Sequence, residues 1–392
     1  MINTYIGAYS RTPIGSFLGS LSSVSATKLG SCVIEDVLIK SGVNSKNVDE
    51  VIMGNVLSAN LGQAPARQAA LEAKLNYQAE CMTINKVCGS GLKAVMLADQ
   101  SIKMKNSNIV VAGGMESMSK APHYLDSSRR GTMFGDSKII DSILKDGLWD
   151  PYNNFAMGKC AEKLCKENKY TREKQDEYAL MSYDRANHAI EKGLFNSEIC
   201  EIEVKNRKQI SIITKDEEPL KFNASKLSKL RPAFDKEGTI TAANASSLSD
   251  GAASVIVLSE DSIKKENIKP IARIVGHASF AMEPIYFTKA PVYAIRKVLK
   301  QTNMKLNDID LFEINEAFSC VTMFAIDELK LNNNKVNVNG GAVSLGHPIG
   351  ASGTRILVTL INTLYNKGLK YGIACLCIGG GEASAVLIEI CE

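Results

Sequence analysis

The sequence lacks an excess of any residue type that would set it apart from ordinary globular proteins. Of its 392 residues, 45% are hydrophobic and 22% are charged, and neither the 10 prolines nor the 29 glycines dominate the composition. This balance gives no indication of disorder or of a fibrous repeat. The chain is too long for one simple core, so we expect two or three domains or one assembly of related parts.

Long apolar runs and targeting features are also missing. No segment approaches the roughly 18 uninterrupted apolar residues that a membrane-spanning helix needs, so we expect no membrane partner. The opening segment, MINTYIGAYSRTPIGSF, does not have the basic and then apolar layout of a signal peptide. We therefore expect a cytoplasmic location.

Charge of one sign does not accumulate along the chain. The formal net charge is +4, and the Lys-rich patches at 103–105, 226–229 and 264–265 are short and lie next to polar residues. Such patches are typical of solvated helix faces and turns, so we expect no nucleic-acid partner. A mildly basic surface would still help to attract a polyanionic ligand.

The ten cysteines do not have the arrangement of a disulfide framework or of a zinc site. Most lie inside apolar segments, and no Cys or His pair with zinc-ligand spacing accompanies Cys375 and Cys377. Because no secretory signal is recognised, disulfide bonds are not expected. Most of the cysteines are predicted to be small buried hydrophobes, no metal site is predicted, and one or two remain candidates for a reactive thiol.

An order of predicted strand, helix and strand occurs twice, which indicates an α/β fold. The two copies are segments 48–56, 89–104 and 108–114 and segments 307–315, 351–361 and 373–381. The same order over three segments favours an internal duplication over chance similarity. We therefore predict two similar α/β halves that pack together.

The middle of the chain differs from both halves. Residues 119–250 are polar, rich in Lys and Glu and irregular, with one clear predicted helix over 172–192. This pattern indicates a long insertion that lies over the first half. Long functional loops near a site are where substrate selection is usually found.

Cys88 is the first candidate catalytic residue. It lies between a predicted strand and helix in the segment NKVCGSG, residues 85–91. The positive end of the helix dipole would lower the pKa of the thiol and favour the thiolate, and the glycines would let a substrate approach the backbone. A tight turn at the start of a helix explains the motif nearly as well.

His347 is the second candidate, in a sequence that has only four histidines. It lies in the glycine-rich segment 340–353, at the matching end of the second half. There it could face Cys88 across the pseudo-twofold axis, and a Cys–His pair supplies the nucleophile and base of acyl transfer. A lone histidine is otherwise usually structural or exposed.

Two further polar residues lie at predicted strand ends. Cys377 precedes the glycines 379–381 and could point into the same cavity, or it could be a buried strand cysteine like Cys375. Asn315 leads into a helix and could orient a water or a carbonyl, with a helix cap as the structural alternative.

Together these segments resemble the thiolases, and within them the acetoacetyl-CoA, or biosynthetic, branch. The likeness runs from Ile6 to Ile390. Seven motifs follow the order of the family: 85–91, 113–119, 229–238, 241–246, 315–318, 340–353 and 377–381. The resemblance implies a duplicated thiolase fold with five layers, α-β-α-β-α. The implied divisions are an N-terminal half (1–118 and 250–268), a loop domain (119–249) and a C-terminal half (269–392).

The resemblance implies an acetyl-CoA C-acetyltransferase, which joins two acetyl-CoA molecules into acetoacetyl-CoA and CoA, or reverses that reaction, through an acetylated cysteine. By that resemblance Cys88 is the nucleophile and His347 its base. Cys377 is the acid and base for the methyl proton of the second acetyl group. Asn315 would hold a water that stabilises the enolate, and the backbone N–H groups of Cys88 and Gly379 would form an oxyanion hole.

Coenzyme A is a substrate in this family, and the resemblance implies no tightly bound cofactor. The implied CoA-binding positions are Met157, Leu230, Phe234, Ala242, Ser246 and Phe318. Such an apolar channel with few polar anchors suits a flexible amphipathic ligand. Lys221 and Lys226 are candidates for the CoA phosphates. The implied assembly is a homotetramer, a dimer of dimers.

Three positions depart from the family pattern. Ala156 replaces a His of many members, which removes a contact to pantetheine and widens the expected acyl pocket. Pro219 replaces the Tyr of the potassium-activated subgroup, so potassium activation stays open. Glu382 replaces a small or apolar residue; its charge could tune Cys377 or simply face solvent, and we expect its side chain to face solvent.

Two alternative functions remain at this stage. A degradative 3-ketoacyl-CoA thiolase of broader chain length shares the chemistry, and Ala156 favours it modestly. A catalytically inactive CoA- or lipid-binding protein is the alternative from another class, although such a protein would be expected to lose Cys88, His347 or Cys377.

Overall fold

The computed structural model describes residues 2–206 and 209–391. Its first part is an α/β unit, in which Cys88 lies between the fourth strand and the third helix. The strands are β1 (Thr4–Arg11), β2 (Gly15–Ser16), β3 (Glu50–Gly54), β4 (Glu80–Ile84) and β5 (Ile109–Ser117). The helices are α1 (Ala26–Ser41), α2 (Pro65–Glu72) and α3 (Ser90–Lys103).

Local sequence explains where these helices begin and end. The Ser25 side chain accepts a hydrogen bond from the Lys28 N–H at the start of α1, and Gly42 ends that helix with φ of 70°. A serine N-cap and a left-handed glycine satisfy backbone groups that a helix leaves unpaired. Pro65 opens α2, where its missing N–H costs nothing.

The middle segment contains more regular structure than the sequence predicts. The predicted helix over 172–192 is confirmed as α5, but α4 is an additional helix. The elements are β6 (His123–Leu125), β7 (Ile139–Asp141), β8 (Trp149–Asp150), β9 (Phe155–Ala156), α4 (Met157–Asn168), α5 (Arg172–Glu191), β10 (Ile202–Asn206), β11 (Gln209–Ile213) and α6 (Glu218–Lys221). The buried face of α4 consists largely of Gly, Ala and Cys, small residues that the sequence analysis did not recognise as the face of a helix.

The remaining chain completes the first sheet and forms the second unit. Its strands are β12 (Ser249–Ser259), β13 (Ala272–Ala281), β14 (Leu311–Ile314), β15 (Tyr371–Ile378) and β16 (Glu382–Ile390). Its helices are α7 (Glu260–Glu266), α8 (Ala290–Thr302), α9 (Ser319–Leu329), α10 (Ala342–Leu345) and α11 (Ser352–Lys367).

The strands of the two units form one hydrogen-bonded path with a narrow junction in its middle, whereas those of the middle segment form three separate pairs, β6-β7, β8-β9 and β10-β11. The order is β14-β15-β16-β13-β1-β12-β5-β3-β4, with β2 beside β12. At the junction, β1 and β13 pair only through Tyr5 with Arg273 and Ile6 with Ala272. On one side β3 is parallel to β5 and β5 antiparallel to β12, and on the other β14 is parallel to β15 and β15 antiparallel to β16. This correspondence confirms the predicted duplication.

Three apolar clusters separate five layers of structure. One cluster packs α1 and α2 against the first sheet, and another packs α8 and α9 against the second. The central cluster contains fully buried side chains of α3 and α11, such as Leu92 and Ile356, between residues of both sheets. Each fully buried side chain of this size contributes about 1.5–3 kcal/mol. The predicted α-β-α-β-α layering is confirmed, and α3 and α11 start beside Cys88 and His347.

Candidate active site

The loop that carries Cys88 contains a backbone conformation that residues other than glycine rarely adopt. Val87 has φ of 47°, in the left-handed region that is unfavourable for a β-branched residue. Its N–H donates to Asn85 Oδ1 at 2.9 Å, and its carbonyl accepts from Ser90 Oγ at 2.6 Å. Ser90 Oγ in turn accepts from the Lys86 N–H at 2.8 Å. These bonds fix Cys88 at the start of α3.

Cys88 is half-buried and carries a thiol at rest. Burial raises its pKa to about 11, although the backbone N–H groups of Gly379 and of Cys88 itself favour the thiolate. The predicted net lowering of this pKa is therefore wrong for the unliganded protein, because the cost of removing the thiolate from water exceeds the stabilisation by these N–H groups. The same two N–H groups are those predicted for the oxyanion hole.

His347 is buried and oriented by its ring contacts. Its Nδ1 lies 2.5 Å from Ser352 Oγ, which donates to the Pro348 carbonyl at 3.0 Å. This network assigns the proton to Nδ1 and leaves the lone pair on Nε2, which lies 3.4 Å from Asn315 Nδ2. Burial and the positive charge of Arg355 lower the His347 pKa to about 3, so the ring is neutral near pH 7. A neutral imidazole with a free Nε2 can accept a proton.

The structure places Asn315 and Cys377 beside these two groups. Asn315 is buried after β14, and its Oδ1 has no hydrogen-bond partner among the described residues. Cys377 is fully buried in β15; burial, and next the neighbouring Cys88, raise its pKa well above the ordinary value of a thiol. The four predicted residues therefore lie together, and Asn315 has a free acceptor.

The glycines after Cys377 meet specific backbone requirements. Gly380 and Gly381 have φ of 88° and 92°, and a Cβ at Gly381 would collide with the Met282 carbonyl. A Cβ at Gly379 would lie 3.6 Å from both Val87 Cγ1 and Met157 Cε. The turn thus needs glycine at 380 and 381, and it brings the Gly379 backbone against the Cys88 loop.

Two buried glutamates support the site, and sequence reasoning assigned neither of them a role. Glu116 accepts bonds from the N–H groups of Val56, Leu57 and Gly350 at 2.9–3.1 Å and from Asn55 Nδ2 at 2.8 Å. Burial raises its pKa to about 7. Glu116 thereby connects β5 and the segment after β3 to the glycine-rich loop of His347.

Glu316 is a similar buried anchor in the second half, where it follows β14. It accepts bonds from Tyr178 Oη, Ser182 Oγ and Asn337 Nδ2 at 2.8 Å and from the Val343 N–H at 3.1 Å. The sequence signal for both glutamates was a carboxylate directly after a strand-like apolar run, within motifs that had been recognised for other residues.

A largely apolar cavity of about 390 Å³ opens onto Cys88, His347 and Gly379. Its lining includes five of the six predicted CoA-binding positions, Met157, Phe234, Ala242, Ser246 and Phe318, together with Ala156. The rings of Phe234 and Phe318 meet edge to face at 5.9 Å, and Ser246 Oγ donates to the Ala317 carbonyl at 3.0 Å. The volume falls within the range of small-molecule sites.

The other predicted CoA residues line a second, smaller cavity of about 210 Å³. Leu230, Lys221 and Lys226 lie there, and Ala242 lines both cavities. Lys221 Nζ is 2.7 Å from Glu217, so its charge already has a partner. Pro219 is buried near the start of α6 and offers no hydroxyl in place of the expected Tyr.

Glu382 does not simply face solvent, so that expectation is wrong. Its side chain is 35% exposed and forms an ion pair with Lys86, which lies two residues before Cys88. The first residue of β16 therefore contacts the loop of the nucleophile.

Clusters of metal-binding side chains are absent from residues 2–206 and 209–391. No group of three or more His, Cys, Asp or Glu side chains in these ranges is placed to hold a metal ion. Over the same ranges, no helix has the length and apolar character to cross a membrane. All ten cysteines are free thiols.

The chain belongs to the thiolase family. It matches the family models for the thiolase N-terminal domain over residues 4–261 and the thiolase C-terminal domain over residues 268–390. The predicted resemblance is confirmed.

Individual relatives match over nearly the whole chain. The acetyl-CoA acetyltransferase of Yarrowia lipolytica is 50% identical over 98% of this chain and 96% of that protein. The mitochondrial acetyl-CoA acetyltransferase of Bos taurus is 50% identical over 97% of this chain and 89% of that protein. The crystal structure of the Acat5 thiolase from Ascaris suum in complex with coenzyme A has a TM-score of 0.94 at 44% identity, covering 99% and 100% of the two chains.

Proposed function

We propose that this chain is an acetyl-CoA C-acetyltransferase that condenses two acetyl-CoA molecules into acetoacetyl-CoA and CoA, or cleaves acetoacetyl-CoA with CoA. The observation that supports this most directly is the meeting of Cys88, His347 and Gly379 on one apolar cavity, with Cys377 and Asn315 adjacent. Relatives that are about half identical over nearly their full length carry the same activity in their names.

In the first half-reaction His347 Nε2 takes the thiol proton of Cys88 as Sγ attacks the acetyl carbonyl carbon. The carbonyl oxygen becomes an oxyanion and accepts bonds from the N–H groups of Cys88 and Gly379. The C–S bond to CoA then breaks, and the proton passes to the departing sulfur. Because Cys88 has a pKa of about 11 and His347 a pKa of about 3, no ion pair forms at rest and the proton moves only when substrate receives the charge.

In the second half-reaction the Cys377 thiolate removes a methyl proton from another acetyl-CoA. The enolate oxygen is stabilised by a water that Asn315 and His347 hold, and its carbon attacks the acetyl group on Cys88. The bond to Cys88 breaks, and Cys377 returns the proton to that sulfur. Since burial keeps Cys377 protonated at rest, His347 takes its proton in the acetyl-enzyme and returns it to Cys377 after Cys377 has protonated the Cys88 sulfur.

Cleavage of acetoacetyl-CoA by free CoA tests the proposal. Wild type should be active on this short substrate, and Cys88→Ala should lose at least about a thousandfold because the covalent route is removed. Longer and 2-methyl-branched 3-ketoacyl-CoAs belong in the same series. Activity that rises with chain length would identify a degradative thiolase, and no thiolysis of any substrate would favour a CoA-binding protein without activity.

We infer that CoA enters through the loop region, residues 119–249, with pantetheine in the large cavity and the nucleotide towards the small one. Ala242 lines both cavities and so joins the two. Lys226 is the better candidate for the phosphates because Lys221 is paired with Glu217. Lys226→Ala should raise KM for CoA several-fold with little change in kcat, whereas Lys221→Ala should change KM less.

We also propose a homotetramer in the cytoplasm. Met133 and Phe134 are 95% and 100% exposed on a segment between β6 and β7, as expected of residues that another subunit covers. Phe134→Ser should reduce the sedimenting mass if that segment joins subunits.

The cytoplasmic location is supported by the ten free cysteines, which agree with a reducing compartment. Cell fractionation would distinguish the cytoplasm from the mitochondrion, since the Bos taurus relative is a mitochondrial form by name. Assays in potassium and in sodium salts would settle potassium activation.

A further inference from the structure

An ion pair connects the two halves of the molecule directly beside the nucleophile. Lys86 lies on the loop between β4 and α3, and Glu382 is the first residue of β16. The two residues are 296 positions apart in the sequence, and their side chains are 24% and 35% exposed. Lys86 is two residues before Cys88, and Glu382 is three residues after Gly379. The pair therefore joins the loop that carries the thiol to the turn that carries the oxyanion donor.

These two loops also touch through apolar atoms, which leaves little freedom between them. A Cβ at Gly89 would collide with Ile378 Cδ1, and Val87 Cγ1 lies against Gly379. The Gly379 N–H stabilises the thiolate of Cys88. Because a hydrogen bond weakens steeply with distance and angle, a small shift between the loops would weaken this contact.

The strained residue of the nucleophile loop is next to the ion pair. Val87, with φ of 47°, follows Lys86 directly. Strained backbone persists only where the surroundings over-determine it. The Lys86 N–H is bound to Ser90 Oγ within the loop, and its side chain is bound to Glu382 outside it. The side-chain bond to Glu382 thus connects the Cys88 loop to the second half of the molecule, in addition to the hydrogen bonds within the loop.

A third charge lies close to the pair. Burial, and next the charge of Lys86, lower the pKa of Lys93 on α3, and Glu382 acts in the opposite direction. The carboxylate therefore offsets two lysines near the nucleophile. It can act on catalysis either by holding the loops in place or by changing the electrostatic potential at Cys88.

We propose that Glu382 is a positioning residue that, through Lys86, clamps the Cys88 loop against the backbone N–H of Gly379. This role rests on the proposed acetyl transfer through Cys88. The clamp explains why a charged residue follows the glycine triplet. It acts by fixing the position of the Cys88 loop relative to Gly379, and not by changing the electrostatic potential at the Cys88 sulfur.

Paired single variants and a charge exchange test the clamp. Lys86→Met and Glu382→Gln each break the ion pair, so each should lower kcat for acetoacetyl-CoA cleavage about three- to tenfold, with KM for CoA within about twofold. The exchanged variant, Lys86→Glu with Glu382→Lys, rebuilds a pair of opposite charges and should recover kcat to within about twofold of wild type. Glu389→Gln is the control: Glu389 lies on β16, seven residues from Glu382, and its ion pairs with Arg273 and Lys370 do not involve the Cys88 loop.

A second readout does not depend on turnover. Iodoacetamide alkylates Cys88 at a rate that depends on the thiolate fraction at a fixed pH, and mass spectrometry of the Cys88 peptide measures this rate. The thiolate fraction in turn depends on the hydrogen bond that the Gly379 N–H donates. The clamp predicts that both single variants slow alkylation by about threefold, because both loosen the thiolate from the Gly379 N–H. A direct effect of charge predicts opposite signs, with Glu382→Gln faster and Lys86→Met slower.

The outcomes separate the clamp from the proposed function. Opposite signs in alkylation, or single variants equal to wild type in both readouts, would overturn the clamp. Failure of the exchanged variant to recover while its melting temperature equals that of wild type would do the same. An inactive wild type would contradict the acetyltransferase proposal, and the alkylation rates would then still decide whether the loops are clamped.

Discussion

His347 shows how burial prepares a base at the scale of one residue. Burial and the charge of Arg355 hold its pKa at about 3, against about 6.5 in an unfolded chain. The folded state therefore does not bind the proton that the unfolded state binds between pH 6.5 and pH 3. Stability consequently falls as the pH falls through this window, and that loss is the cost of a neutral, proton-accepting ring at neutral pH.

Replacement of His347 by Gln should remove this pH dependence. The free energy of unfolding of wild type, relative to His347→Gln, should decrease by about 2 kcal/mol between pH 7.5 and pH 5. Urea unfolding at equal protein concentration measures the difference, and the other buried titratable groups are common to both proteins. A difference that stays constant over this range would show that His347 is protonated normally in the folded state.

Cys88 should remain a protonated thiol at neutral pH until substrate is bound. With a pKa of about 11, the thiolate fraction rises about tenfold per pH unit throughout the neutral range. The rate of alkylation of Cys88 should therefore still increase between pH 7 and pH 9. A rate that reaches a plateau below pH 7 would indicate a preformed thiolate–imidazolium pair. Cys81, which is partly exposed and away from the cavity, provides an internal reference.

At the scale of elements, Glu116 shows how β5 positions the loop of His347. A Cβ at Gly114 would collide with the Gly350 carbonyl, so strand and loop meet at backbone distance. The two oxygens of Glu116 then receive four donors, one of which is the Gly350 N–H. The strand β5 continues to Ser117 through both glycines, where the sequence indicated a strand end, because β12 pairs with it as far as Asp250.

The Glu116→Gln variant should be less stable and less active. Its amide group would place a donor against two N–H donors, and the unsatisfied groups should cost about 2–4 kcal/mol of unfolding free energy. We also expect kcat to fall several-fold, since the loop of His347 loses its anchor. Glu72→Gln, which breaks the exposed pair with Lys28, is the control and should change neither quantity measurably.

The order of elements could be predicted because local patterns carry it. Apolar runs bounded by glycines marked β3, β5, β14 and β15, and apolar spacing marked α3, α5 and α11. The helix α4 was missed because its buried face consists largely of the small residues Gly158, Cys160 and Ala161, and not of the large hydrophobic side chains by which α3 and α11 were recognised. Helices whose buried faces carry large apolar side chains are the easiest to recognise from the sequence.

At the scale of the whole molecule, the duplication brings the site together. The helices α3 and α11 lie side by side in the central layer, and the Cys88 and His347 loops open onto one cavity at their starts. Repetition in the sequence was sufficient to predict that these two residues face each other. The Lys86–Glu382 pair was not predictable, because a contact across 296 residues leaves no local pattern. The raised pKa of Cys88 depends likewise on how tightly both halves enclose the thiol.

The acetylated enzyme is the species that tests the central claim most directly. Wild type would be incubated with acetyl-CoA, quenched and digested, and the peptides would be analysed by mass spectrometry. We predict one acetyl group on the Cys88 peptide, lost on addition of free CoA and absent from Cys88→Ala; acetylated surface lysines, which CoA does not reverse, are the internal control. A CoA-reversible acetyl group on another residue, or one on Cys88 that persists in the presence of CoA, would contradict acetyl transfer through Cys88.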